Sequence, residues 1–401
     1  MKILMVHQHY FPEMSGTARR TKELAESFIK RGNEVSVVTS FPREFRSVSN
    51  EKSRLFENIN GVKVFRVKTL FEIKKNVLFR MFSYLSFVLQ SISLALKLSR
   101  QSNIVISVAP LSSGVIGSLV QIFGRKHHHF DVPDILPDLG ISAGMIKNKF
   151  IIFLLYKMEK WVYNHSTTIS AITYGQLNNI HSKGAPRAKL FYIPDWIDEI
   201  FFVENLKKYK TKVSAKLVFP NKKLISFVGN IGALQNPEVF IEIMASLREG
   251  NHDEFEFLFI GDGIMLPYLK EKVKKLSINN VKFIGRVKRE YIPAFMNLSD
   301  ILVANYLPNN YMDICIPGKL YEYAISKRPI IMGARGEAKN LIEKYSLGLA
   351  VTPSDVKSFK EAIIQISNGS FQFKPSSEKF VQDFSLHKIS KLYDRIFAKV
   401  K

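Results

Sequence analysis

Along the chain, short β-branched and aromatic runs alternate with segments whose apolar positions recur every three or four residues. "KILMVHQ" is followed by "GTARRTKELAESFIKRG" and then by "NEVSVVTS". In the middle segment Leu24, Phe28 and Ile29 mark one face, and Gly32 sits where a helix is commonly capped. "IVISVAP", "GVIGSLVQIF" and "RKHHHFDVP" repeat the theme, as do "TTISAI" and "KLFYIP" around "TYGQLNNIHSKG". A second series starts near Lys222: "KLISFVGN", "EFLFIGDG", "NVKFIG", "DILVANY", "RPIIMG" and "GLAV" read as six strands separated by helical patterns. Such alternation predicts doubly wound α/β domains built on parallel sheets. The expected division is 1–198 and 199–385, with a polar, poorly periodic linker near 199–221. An amphipathic helix over 386–401 is expected to pack back on the first domain. Two such domains facing a central cleft would bind ligands at the carboxyl ends of their strands.

One segment departs from the alternation. "NVLFRMFSYLSFVLQSISLALKLSR" is mostly apolar from Val77 to Leu98, yet Ser83, Ser86, Gln90, Ser93 and Lys97 trace a polar stripe along one side of a helix. A membrane span of roughly 20 residues usually lacks such a stripe. With Lys74, Lys75, Arg80 and Arg100 at its ends, the helix suits a membrane interface, and a core helix is the competing reading.

Composition narrows these readings. The 401 residues exceed one ordinary core and include 31 phenylalanines. The single cysteine, Cys315, excludes an internal disulfide. The N-terminal apolar run is short and reads as a first strand, not a secretory signal. A net charge of +23, with lysines spread over the whole length, implies an anionic partner. Dispersed charge favours an anionic membrane surface over nucleic acid.

The chemistry sits where strands end. "PEMSGTARR" places Gly16 at a helix start, where free N–H groups suit an anion, although the spacing is not that of a dinucleotide fingerprint. "FVGNIGALQN", "FIGDG" and "FIGRV" end three consecutive strands at Gly229 and Gly232, at Gly261 and Gly263, and just before Arg286. One such turn is ordinary; three in series line an edge with backbone suited to a nucleotide. "CIPGKLYEYAISKRPIIMG" then sets Lys319 and Glu322 one turn apart on a helix opening at Gly318. Gly318 and Lys319 fit a phosphate, while Glu322 fits the vicinal hydroxyls of a ribose. A surface salt bridge would explain the pair but not the preceding Pro-Gly or the buried strand after it.

The order of these motifs, with "HQHYFPEMSGTARRTKELAESFIKRGNEVSVVTS", "DILPDLGISAGM" and "IPGKLYEYAISKRPII", resembles the retaining GT-B glycosyltransferases of family 4 over essentially the whole chain. Within that family it is most similar to the O-antigen and capsule subgroup that includes N-acetyl-fucosaminyl transferases. The resemblance implies two Rossmann-like domains, an acceptor side first and a nucleotide-sugar-binding domain second. It implies donor contacts at Gly16, Thr17, Gly229, Asn230, Gly232, Gly263, Arg286, Gly318, Lys319, Leu320 and Glu322. Asp134 and Asp138 match the subgroup's catalytic segment. The expected donor is UDP-linked, carrying a deoxy or N-acetylamino sugar, and the expected acceptor is a lipid-diphosphate-linked saccharide. No metal or other cofactor is expected: of His127, His128 and His129 in one strand, at most His127 and His129 share a side. The place of the family's first glutamate is Ile314, beside Asp313, and "GNIGALQN" lacks the usual arginine and lysine. Peripheral attachment to the inner face of the cell membrane is expected, without nucleic acid. A nucleotide-sugar 2-epimerase and a non-enzymatic basic protein are the alternatives.

Overall fold

The computed structural model describes residues 1–13, 15–42, 55–70, 77–216, 219 and 221–400. They divide into Met1–Asp195 with Leu386–Lys401, and Trp196–Ser385. The first unit runs β1 (Lys2–Val6), α1 (Gly16–Lys30), β2 (Glu34–Ser40), β3 (Phe56–Ile59), β4 (Val62–Val67) and α2 (Val77–Ser99). It continues through β5 (Ile104–Val108), α3 (Leu111–Gly124), β6 (His127–Val132), α4 (Leu136–Ser142) and α5 (Lys149–Asn164). It then adds β7 (Thr168–Ala171), α6 (Tyr174–Ser182) and β8 (Leu190–Tyr192).

The second unit opens with α7 (Glu199–Lys216), β9 (Lys223–Val228), α8 (Glu238–Glu249), β10 (Phe255–Ile260), α9 (Leu266–Lys275) and β11 (Val281–Gly285). After α10 (Ile292–Leu298) come β12 (Ile301–Asn305), α11 (Asn310–Asp313), α12 (Gly318–Ile325) and β13 (Ile330–Gly333). The unit closes with α13 (Gly336–Lys344), β14 (Gly348–Val351), α14 (Val356–Ser367) and α15 (Ser377–Phe384). The chain then returns to the first unit as α16 (Leu386–Leu392) and α17 (Asp394–Phe397).

The first sheet has the order β3-β4-β2-β1-β5-β6-β7-β8 and the second β11-β10-β9-β12-β13-β14. All pairings are parallel except β3 with β4. The sequence pattern did not anticipate those two strands. In the first sheet the chain moves one way after β1 and the other way from β4 onward. Right-handed crossovers therefore set α1 on one face and α2, α3 and α5 on the other. The latter three pack in sequence, α2 on α3 and α3 on α5. In the second sheet β9 shows the two-residue period directly. Leu224 and Val228 join one buried cluster with Leu320 and Tyr323, while Ile225 and Phe227 join another with Phe240 and Phe359. The parallel doubly wound architecture expected from the alternation is present in both units.

Two readings need correction. Within the segment read as a poorly periodic linker near 199–221, Glu199–Lys216 is a helix. Its Phe202, Leu206, Tyr209 and Val213 pack into the second unit's core. The polar stripe of α2 does not form one solvated side. Ser83 is buried and accepts from Gln8 Nε2 at 3.0 Å, and Ser86 is buried and accepts from the Leu70 N–H at 3.0 Å. Gln90, Ser93 and Lys97 are exposed. Meanwhile Phe87 and Ala95 join the core, and Phe82, Leu85 and Leu89 stand exposed. Serine hydroxyls satisfied by a neighbour can turn inward, which periodicity alone does not register. Lys74 and Lys75 lie outside the described residues.

Candidate functional site

The three glycine turns at the carboxyl edge of the second sheet interlock backbone to backbone. Gly229 donates to the Ile260 carbonyl at 2.8 Å, Gly261 to the Gly285 carbonyl at 2.9 Å, and Ile231 to the Asp262 carbonyl at 2.9 Å. A Cβ on Gly261 would stand 2.0 Å from the Gly229 oxygen, and one on Gly263 would stand 2.3 Å from the Ile231 oxygen. Those two glycines are therefore required by the close approach of neighbouring turns. At Gly232 a Cβ would meet only the side-chain ends of Asn230 and Gln235. Arg286 is exposed immediately after β11.

Helix α12 enters this edge through an extended Pro317, and no side chain caps its first turn. Gly318 is exposed. Lys319 lies along the turn at Gly229, where a Cβ would meet its Cε at 2.7 Å. Its Nζ stands 3.5 Å from the centre of the Phe227 ring. That nitrogen is buried and has no hydrogen-bond partner. Burial pushes its pKa down to about 7, with the carboxylate of Glu322 opposing the shift. An ammonium that has lost water without gaining a hydrogen-bond acceptor is a strong attractor for an anion. Glu322 is partly exposed one turn further on. Leu320 differs from its neighbours: its side chain is fully buried in the core, and its N–H bonds the Pro317 carbonyl at 2.9 Å.

Tyr323 was not singled out from the sequence, yet it fixes this arrangement. Its hydroxyl accepts from the Val228 N–H at 2.8 Å and donates to the Val228 carbonyl at 3.1 Å. The helix is thereby fastened to the last residue of β9, one turn from Lys319. The signal was the i,i+4 spacing in "KLYEY". Beside Ile314, Asp313 pairs with Arg335 at 3.1 Å.

In the first unit, Gly16 opens α1, capped by Ser15, and a Cβ there would meet nothing within 4 Å. Thr17 is partly exposed, and its carbonyl accepts from the Thr21 hydroxyl. Asp134 follows β6, and burial raises its pKa to about 6, helped by Asp195 and opposed by Arg20. Asp138 has partners of its own, Lys183 Nζ at 2.8 Å and Asn179 Nδ2 at 2.9 Å. A third carboxylate, Asp131, holds the centre of this unit. It takes Arg20 at 3.2 Å, the Ser170 hydroxyl at 2.7 Å and the Tyr393 hydroxyl at 3.1 Å. The histidines serve the same framework. His127 and His129 both reach Thr168 Oγ1, at 3.1 and 3.0 Å, and His128 meets Ser107 Oγ at 2.6 Å. Burial lowers His128 to about 3 and His129 to about 4, so both rings stay neutral. Among the described residues no three His, Cys, Asp or Glu are grouped to hold a metal ion.

Residues 209–382 match the model of the family described as Glycosyl transferases group 1. The matched residues lie within the second unit. Over 378 residues the chain is 24% identical to Escherichia coli WcaI, assigned as a colanic acid biosynthesis glycosyl transferase, covering 91% of this chain and 92% of that one. Over 213 residues it is 23% identical to a Campylobacter jejuni alpha-1,4-N-acetyl-D-galactosaminyltransferase whose name specifies an undecaprenol-diphosphate-linked saccharide, covering 52% and 57%. Anabaena HepE, solved with UDP and glucose, superposes with a TM-score of 0.73 at 15% identity, covering 99% of both chains. Sucrose-phosphate synthase of Thermosynechococcus elongatus gives 0.77 at 16% identity, again over 99% of both. The whole chain has the GT-B fold, and the residues that match the family model include the glycine turns, Lys319 and Glu322.

Proposed function

We propose that this protein is a retaining glycosyltransferase that moves a sugar from a UDP-linked donor to a lipid-diphosphate-linked saccharide during surface-glycan synthesis. The observation that carries the reading is Lys319, a buried cation without a hydrogen-bond partner, held at the uncapped start of α12 beside interlocked glycine turns. A diphosphate satisfies both the ammonium and the free N–H groups. Glu322, one turn on, takes the ribose hydroxyls. The acceptor belongs to the first unit, where Asp134, raised to about 6, accepts a hydrogen bond from the attacking hydroxyl near neutral pH. The lack of a glutamate at Ile314 supports a deoxy or N-acetylamino sugar with fewer hydroxyls to hold. The names of WcaI and the Campylobacter transferase support the saccharide and the lipid carrier. Attachment is peripheral, on the inner face of the membrane.

The test is transfer from UDP-sugars, with the product's anomeric configuration read by proton NMR. A nucleotide-α-sugar is expected to yield an α-glycoside. A β-glycoside overturns retention, and isomerised nucleotide-sugar without transfer assigns the chain to the epimerases.

A further inference from the structure

Helix α5 exposes what a soluble helix normally hides. Phe150 is 68% exposed, Phe153 54% and Leu154 49%. At 100° per residue these three fall on one side, centred opposite Glu159, Val162 and Tyr163, which are buried. Lys147, Lys149, Lys157 and Lys160 are exposed around them, and Lys157 Nζ lies 5.4 Å from the centre of the Phe153 ring. The only carboxylate between residues 143 and 164 is Glu159, which is buried and paired with Lys183 at 2.9 Å. Two phenylalanines and a leucine on a helix whose exposed charged side chains are all lysines form the pattern of a helix lying in a headgroup layer, with lysine stems spread along the apolar face.

We infer that α5, not α2, is the element that seats this protein on an anionic lipid bilayer. Charge selects the occupant. A second copy would bring lysines against lysines, whereas acidic headgroups neutralise the lysines while the aromatic side chains enter the acyl boundary. The 16-residue helix is too short to span, and its buried Glu159 ties it to α6 through Lys183. Among the described side chains of α2, Lys97 is the one charged group, and it lies two turns beyond the exposed Leu89, away from Phe82 and Leu85. The position also has a consequence for the reaction, and this clause rests on the function proposed above. α5 follows directly from α4, which starts two residues after Asp134 and carries Asp138, so a bilayer at α5 holds a lipid carrier beside the acceptor side.

The experiment is sedimentation with phosphatidylglycerol–phosphatidylcholine vesicles at low salt, with pure phosphatidylcholine as the comparison. The double variant Phe150→Ser/Phe153→Ser is expected to bind anionic vesicles about tenfold or more weakly, and Lys149→Ala/Lys157→Ala to lose the preference for anionic lipid. Leu85→Ser/Leu89→Ser is expected to remain within about twofold of the native chain. UDP affinity and melting temperature, measured alongside, are expected to be unchanged in all three variants. A folded α5 variant that binds vesicles like the native chain overturns the inference. So does release by the α2 variant alone, or self-association that the α5 substitutions abolish. Absence of UDP binding by the native chain counts against the proposed function and leaves the vesicle result standing.

Discussion

Lys319 shows how one residue gains its chemistry from what surrounds it. A lysine in water holds its proton to about pH 10.4. Against Gly229 and Phe227, burial brings this one down to about 7, and Glu322 restores only part of the loss. The folded chain therefore binds this proton less tightly than the unfolded chain does. Between the two pKa values the unfolded state alone carries it, so the contribution to stability rises with pH across that window and is constant below it. A bound diphosphate works the other way, favouring the charged form and raising the pKa. UDP binding at pH 8 is thus expected to take up close to one proton, and affinity should fall as pH rises above about 7. Calorimetry in two buffers of different ionisation enthalpy measures the uptake. No uptake, or the same uptake in Lys319→Met, removes Lys319 from the phosphate site.

Helix α12 is held in register by Tyr323, whose hydroxyl bonds both backbone groups of Val228. Tyr323→Phe leaves those groups unpaired in a dry place, at about 1–3 kcal/mol for a buried unsatisfied group. The expected outcome is a lower denaturation midpoint together with weaker UDP binding, because Lys319 loses its seat; stability lost with UDP affinity intact would show that Tyr323 does not position the site. Of the six strands after Lys222, β9, β10, β12 and β13 were legible because strands buried on both faces read as continuous apolar runs, and the edge strands β11 and β14 were legible from their short apolar runs and glycine ends. Helix α7 was not. Its stripe of Phe202, Leu206, Tyr209 and Val213 is interrupted by Lys207, Lys208, Lys210 and Lys212, so composition masked periodicity. The β3–β4 hairpin carried an Asn60-Gly61 turn with both residues at positive φ, a strong local signal that short, half-polar strands concealed. At the site, the glycine turns were legible as strand ends. Their deeper cause, one turn's backbone lying against the next, is visible only once β9, β10 and β11 are neighbours.

At the scale of the molecule, the first unit is completed by the last residues of the chain. Phe28 of α1 meets Tyr393 and Phe397 with ring centroids 5.3 and 5.4 Å apart, and Arg31 donates to the Ser390 carbonyl at 2.6 Å. The Tyr393 hydroxyl, buried deeply enough to hold its proton well above the usual range, reaches Asp131 in the same network as Arg20. The tail therefore covers an apolar surface and also closes over a buried ion pair. Removing everything after Ser385 uncovers both. Ile389, Tyr393 and Ile396 are each no more than 2% exposed, and full burial of such a side chain contributes about 1.5–3 kcal/mol. The sum is a large share of the roughly 5–15 kcal/mol that holds a domain folded. Opening the Arg20–Asp131 pair to water offsets some of this loss, since a solvated pair no longer bears its desolvation cost. The native chain is expected to keep its first unit resistant to limited proteolysis, while the truncated chain is cut within residues 1–195. UDP binding, which the proposed function assigns to residues 196–385, should survive truncation. Equal resistance of the two chains would mean that the tail rests on the first unit without supporting it, and loss of UDP binding with the first unit intact would place the donor's determinants beyond Ser385.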